Sequence, residues 1–209
     1  MDLLFILLLA NIIKASNIFI FLELQINYHM QKGSIEVICG SMFSGKTEEL
    51  LRRLKRAKFS KIKIAVFKPE IDLRYANKKV VSHDKNTIYS IPLKKAKDIL
   101  SHVNEEQIVA IDEAQFFDED LITVCNTLAN KGKRIIVAGL DMDFLGKPFG
   151  VVPQLLAIAE KITKVHAICI DCGENANHSF RKTTEKELVK LGEKNEYKPL
   201  CRSCFITNN

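Results

Sequence analysis

Gly40-Ser41-Met42-Phe43-Ser44-Gly45-Lys46-Thr47 fits the pattern GxxxxGK[ST] at every fixed position. A short β-rich apolar run, Ser34 to Cys39, leads into it, and good helix formers over 47–58, with apolar Leu50, Leu51 and Leu54, lead out. Strand, glycine loop and helix in that order give the pattern its physical meaning. The glycines let backbone N–H groups curl around phosphates, and the helix N-terminus adds its dipole. Lys46 can reach the β and γ oxygens, and the Thr47 hydroxyl can ligate Mg2+. The stretch implies a nucleoside triphosphate site without naming a reaction.

Working outward, strands and helices alternate. A second strand is expected over 62–67, then a polar, irregular stretch over 70–86 that reads as a functional loop. A short strand near Ile88, a helix around 94–102 and a strand over 107–111 follow. A helix over 118–130, a strand over 134–139, a loop through Gly150 and a helix over 153–160 complete the pattern. Such alternation predicts an α/β fold: a P-loop NTPase-like parallel sheet with helices on both faces. Near Lys164 the character changes. A strand leads into Cys169, no helix pattern is evident beyond it, and a small C-terminal zinc-binding domain is expected over 166–209 after an ATP-binding domain over 30–165.

Val109-Ala110-Ile111-Asp112-Glu113 supplies a second half for the phosphate site. Three apolar residues and an acid read as the end of a buried strand, which places Asp112 at the carboxyl edge of the sheet, where an acid can hold the Mg2+ shell. Glu113 beside it is placed to act as a base toward an attacking hydroxyl.

The chain has 209 residues, 47% of them hydrophobic and 27% charged, with a formal charge of +6, which suits one α/β domain and a small appendage. The mild positive charge is spread along the chain and is weak support for nucleic-acid binding. Of six cysteines, four form two CxxC pairs, Cys169/Cys172 and Cys201/Cys204. Two pairs in one small region are the spacing of a tetrahedral four-thiolate structural Zn2+ site in a reducing compartment. The residues between the pairs are then a loop tied at both ends. Cys39 and Cys125 stand alone in apolar surroundings and read as core thiols.

The stretch before Met30 is unusual. Two apolar runs, 3–13 and 18–24, are each shorter than the roughly 20 residues of a membrane span. Asp2 stands where a signal peptide has basic residues. We expect an N-terminal extension over 1–29 that is translated upstream sequence, which an intact mass of the native protein checks.

Several blocks occur in an order that resembles the thymidine kinase family of bacteria and animal cytosol: GSMFSGKTEELLRRLKR from Gly40, FKPEIDLRY from Phe67, VVSHD from Val80, DEAQFF from Asp112, VAGLDMDFLGKPFG from Val137, and the two CxxC pairs. The likeness spans 33–205. It implies transfer of the γ-phosphoryl group of ATP to the 5′-hydroxyl of thymidine or deoxyuridine, with Mg2+ and no nucleic-acid or membrane partner. Glu113 maps onto the general base, and Ala114 and Gln115 join the ATP-binding residues. Arg74 would lie near the transferring phosphate, and Phe117 and Phe144 by the thymine base. A zinc-tied lasso is expected to read the base mainly through backbone groups at Leu191 and Gly192, with Tyr197 contributing. A glycine pair usual before that tyrosine is replaced here by Leu191-Gly192-Glu193. A cytoplasmic homotetramer is the family's form. The rival reading is a P-loop ATPase with a nucleic-acid-binding zinc ribbon; Arg181, Lys182, Lys186 and Lys190 suit it, but Phe180 and Tyr197 are its only interleaved aromatics.

Overall fold

The computed structural model describes residues 33–71, 79–81, 87–183 and 196–208. The residues from Gly33 to Asn209 form one compact unit. The extension over 1–29, Arg74 and the pair Leu191-Gly192 lie outside the described residues.

Six parallel strands build the central sheet: β1 (Ser34–Cys39), β2 (Ile64–Pro69), β5 (Ile91–Leu93), β6 (Ile108–Ile111), β7 (Arg134–Gly139) and β8 (Lys161–Lys164). Their order across the sheet is β5-β2-β6-β7-β1-β8. Ile38 pairs with Ala138 of β7 on one side of β1 and with Thr163 of β8 on the other. A small antiparallel pair, β3 (Lys79–Val81) and β4 (Thr87–Tyr89), lies outside this sheet.

The inner strands are buried on both faces, which is why they read as continuous apolar runs rather than alternating ones. Successive side chains nonetheless separate by face. Ile35, Val37 and Cys39, with Val109, Ile111, Ile135 and Val137, enter one core; Ile38, Ile108, Ala110, Ile136 and Ala138 enter the other. Helix α1 (Lys46–Phe59) covers the second face with Leu50, Leu51, Leu54 and Ala57. Its acidic first turn (Glu48, Glu49) and basic last turn (Arg56, Lys58) complement its dipole. The first face is covered by α2 (Ile99–His102), α3 (Asp120–Asn130) and α4 (Val152–Ile158), through residues such as Ile99, Leu121, Val124, Leu128 and Leu155.

Differences from the sequence reading lie at ends and short pieces. The helix expected over 94–102 is a 3-10 turn, Ala96–Asp98, running into α2. The helix expected to reach residue 160 stops at Ile158, and the Glu160 carboxylate instead accepts a hydrogen bond from Ile35 N at 2.6 Å. Beyond β8 the chain forms two antiparallel pairs: β9 (Ala167–Ile168) with β10 (Asn175–Ala176), and β11 (His178–Arg181) with β12 (Tyr197–Leu200). A helix that no pattern announced, α5 (Arg202–Asn208), follows β12. It is stabilised by anchoring rather than by periodicity: Phe205 is buried, stacks on His178 with ring centroids 4.4 Å apart, and meets Phe180 edge-on.

Candidate active site

The loop between β1 and α1 reverses tightly, and its backbone shows why glycine is needed. Gly40 has φ +144°, and a Cβ there would stand 2.1 Å from the Val165 carbonyl oxygen. Gly45 has φ +85° at the helix entrance, and Phe43 takes the left-handed region at φ 63°, a strained conformation for a bulky residue. Inside the loop the Ser41 carbonyl accepts hydrogen bonds from Ser44 Oγ and Lys46 Nζ, both at 2.7 Å. The loop thus aims the N–H groups of a 14-residue helix at one point, with a lysine over it.

Asp112 leaves the carboxyl end of β6, separated from β1 by β7. It is 6% exposed, and its Oδ2 accepts a long hydrogen bond from Thr47 Oγ1 at 3.4 Å. The two motifs read separately in the sequence therefore meet at one place. Asp112 Oδ1 accepts from Glu113 N at 3.1 Å. Glu113 itself lies in the left-handed region, φ 51° and ψ 42°, a strained position that turns its side chain out of the strand direction. The 3-10 turn Ala114–Phe116 follows, with Phe116 N donating to Glu113 O at 3.1 Å.

The cysteine module docks on this loop. Met42 N donates to Ser179 Oγ at 2.9 Å, and Ser41 Oγ to the Ala176 carbonyl at 3.2 Å. Phe43 packs on the module's own cluster of Ala167, Ala176, Leu200 and Phe205. Gly146 lies against His178 and Phe205. Burial, and then the nearby Arg202 charge, lower the His178 pKa and favour its neutral form.

Phe144 and Tyr197 are brought together by Arg181, which in the sequence counted only among the cations suiting a nucleic-acid-binding ribbon. The Arg181 guanidinium lies 3.7 Å above the Phe144 ring centroid, and its Nη2 and Nε donate to Tyr197 Oη at 2.6 and 3.1 Å. Arg181 is 5% exposed. Its only signal in sequence was the alternation of β11, in which Ser179 and Arg181 share a face, and that is weak for so short a strand. Phe117 is placed in the larger core among residues such as Leu121 and Val151.

The four paired cysteines converge: their sulfurs all lie within 4.8 Å of one another, with Cys172 and Cys201 3.6 Å apart. A tetrahedral Zn2+ with Zn–S bonds of about 2.3 Å requires sulfurs about 3.8 Å apart, so the donor set and spacing fit structural zinc. Burial pushes the Cys169 thiol up, but backbone N–H groups of Cys201, Asp171 and Cys172 outweigh it and bring the pKa down to about 6. The Glu174 backbone pulls Cys172 down, but Cys169 and Cys201 outweigh it and hold it up, and hydrogen bonds with Cys201, then Cys172, hold Cys204 up. Cys39 and Cys125 lie apart from this cluster. Burial, and for Cys39 the Asp141 charge next, lifts them to about 11 and about 12, so both stay protonated and serve as core.

A phosphate-binding helix N-terminus joined to a strand-end acid pair defines a P-loop nucleotide enzyme of the parallel α/β class. Comparison with known proteins narrows this. A family model described as thymidine kinase matches residues 33–205. The thymidine kinase of Bacteroides thetaiotaomicron is 55% identical over 187 residues, covering 90% of this chain and 94% of that protein. That of Porphyromonas gingivalis is 56% identical over 176 residues, covering 84% and 86%. Among solved structures, the flagellar accessory protein FlaH of Methanocaldococcus jannaschii gives a TM-score of 0.48 at 13% identity, covering 71% of this chain and 77% of that one, which is too slight to bear on the site. The chain belongs to the thymidine kinase family.

Proposed function

We propose that this chain is a thymidine kinase acting by direct in-line transfer: the 5′-oxygen of thymidine bonds to the γ-phosphorus of ATP, the bond from that phosphorus to the β–γ bridging oxygen breaks, and dTMP and ADP leave. Deoxyuridine, which lacks only the base methyl, is the expected second acceptor. The observation that supports this most directly is the chain of contacts Thr47–Asp112–Glu113, which sets a candidate base beside the phosphate loop.

Within that scheme the protein positions reactants and neutralises charge. Gly40 to Thr47 cradle the phosphates, and Lys46 offsets the charge on the β and γ oxygens. Thr47 and Asp112 would hold Mg2+, which when bound with ATP lowers the charge the acceptor oxygen must approach. Glu113 takes the hydroxyl proton as the new bond forms. Arg181, by holding Tyr197 and Phe144 together, shapes the nucleoside end. Cys169, Cys172, Cys201 and Cys204 would hold structural Zn2+, fixing the roots of the segment to which family likeness alone assigns closure over the nucleoside. Arg74, Leu191 and Gly192 are assigned their roles by family likeness alone.

The same reading makes the protein a cytoplasmic homotetramer with no nucleic-acid or membrane partner. Thiolates kept for a metal suit a reducing compartment. The test is purified protein with ATP, Mg2+ and a panel of nucleosides. Thymidine and deoxyuridine should be phosphorylated and deoxycytidine and purine deoxynucleosides should not. Hydrolysis of ATP stimulated by DNA or RNA, with no nucleoside product, would sink the proposal.

A further inference from the structure

Gln115 has more of the fold arranged around it than a residue that merely borders a nucleotide requires. It sits on the turn after Glu113 and is 4% exposed. Its amide can be assigned without ambiguity. Leu140 N–H can only donate, so the atom 2.9 Å from it is Oε1. Nε2 must then face the other way, where it donates to Glu113 Oε2 at 2.5 Å.

Two glycines make the space. A Cβ at Gly139 would stand 3.0 Å from Gln115 Oε1 and 2.9 Å from Val152 Cγ2. A Cβ at Gly150, where φ is +54°, would stand 2.4 Å from the Gln115 carbonyl oxygen. Side chain and backbone of Gln115 are thus each seated where a glycine leaves room. The anchor, Leu140, follows directly on β7, the strand between the acid's strand and the phosphate loop's strand.

We propose that Gln115 is a positioning residue: it ties the Glu113 carboxylate to the carboxyl end of β7 and so sets its aim. This rests on the reading of Glu113 as proton acceptor. A base must be held within hydrogen-bond reach of the proton it takes. The strained backbone of Glu113 turns the side chain out, and the Gln115 amide holds its carboxylate there. Family likeness alone would make Gln115 a nucleotide contact, and the two roles differ in what they predict.

The deciding variant is Gln115→Glu, which keeps the shape and an oxygen for Leu140 N–H but turns a second carboxylate oxygen toward Glu113. That variant removes the donor to Glu113 and sets an oxygen against its carboxylate, so the two push apart instead of holding together. With kcat counted per thymidine-binding site from equilibrium titration, kcat at neutral pH should fall at least tenfold, while KM for ATP changes less than twofold. Counting sites keeps a less stable variant readable. A kcat within twofold of the parent, or a loss confined to KM for ATP, overturns the positioning role. Glu113→Gln measured alongside separates the failures. Near-normal turnover there removes Glu113 as acceptor and this inference with it; loss of turnover there with an unchanged kcat in Gln115→Glu removes only the role of Gln115.

Discussion

Replacing Glu36 with glutamine perturbs a buried ion pair that brackets the phosphate loop. Glu36 lies on β1, before the loop, and Arg53 on α1, after it. The Glu36 carboxylate accepts from Arg53 Nη1 at 2.6 Å and from Arg134 Nε at 2.7 Å. Burial pushes the Glu36 carboxyl up, but Arg134 and Arg53 outweigh it and hold its pKa below the usual value. The side chains of Glu36 and Arg53 are 9% and 7% exposed, so neither charge is well solvated. Removing one partner of such a pair costs about 3–5 kcal/mol. Two features lower that here. Arg53 keeps Glu49 Oε1 at 2.8 Å and Thr163 Oγ1 at 2.9 Å, so its charge is not orphaned. The Arg134 side chain is 38% exposed, and its share is screened to a few tenths of a kcal/mol, as for surface pairs at about 0.2–1 kcal/mol. A loss of about 2–3 kcal/mol remains. For a domain of this size, at about 2–4 °C per kcal/mol, the melting temperature should fall by about 4–12 °C. Thermal unfolding followed by circular dichroism at pH 7 reads it. A Glu36→Gln, Arg53→Met double variant should be less destabilised than the sum of the single changes, because the second change removes the charge that the first left poorly compensated. A melting temperature for Glu36→Gln within 2 °C of the parent, roughly the shift of 0.5–1 kcal/mol, would refute a desolvated ion pair at this position.

Further expectations follow from the same contacts. Glu113→Gln should lower kcat by about 10²–10⁴-fold while thymidine still binds in equilibrium titration; near-normal turnover would remove it as the base. Arg181→Met removes a guanidinium–ring contact worth about 0.5–2 kcal/mol and the hydrogen bonds to Tyr197, so KM for thymidine should rise at least tenfold with KM for ATP steady; equal changes in both would show a general loss of fold. A strong zinc chelator should lower the melting temperature, and metal analysis of the untreated protein should find one Zn2+ per chain; an unchanged melt with no zinc would show that the four thiols do not hold it. Acid stability carries a signature from Glu49. Its hydrogen bond from Arg52, joined by Arg53, outweighs burial and brings its pKa down from 4.5 to about 2. Its folded-state pKa is thus depressed, so this stability is fully present above about pH 4.5 and is lost as pH falls toward 2. The pH dependence of unfolding between those values should flatten in Glu49→Gln.

Much of the site was legible because its chemistry is local in sequence. The phosphate loop needs glycines, a lysine and a hydroxyl at fixed offsets between a strand and a helix, and the backbone torsions at Gly40 and Gly45 show the requirement directly. The acid pair was legible because an apolar run ending in carboxylates marks a buried strand end. The cysteine pairs were legible because metal ligands need short, repeated spacing. Helix ends were less so: Glu160 looked helical but is drawn away by the Ile35 N–H, a partner distant in the chain. Helix α5 had no periodicity to read: Phe205 is its buried residue, set against His178 and Phe180, and Asn208 bonds to Asp171 and Lys198 from elsewhere in the module.

What the sequence by itself determined, then, is the set of groups for binding phosphates and the order of strands and helices, both of which are written in short-range spacing. Tertiary structure alone decided which groups meet. Thr47 and Asp112 come together only because their strands lie one apart in the sheet. Arg181, a charged residue in a polar stretch, becomes a buried link between Phe144 and Tyr197 only when β11 folds back over the loop before α4. Gln115 reaches Glu113 and Leu140 together only because Gly139 and Gly150, distant from it in the chain, leave the space. The physical reason is the same in each case. Burial and hydrogen bonding depend on which surfaces the packed layers bring within about 3 Å, and no local pattern of residues encodes that distance.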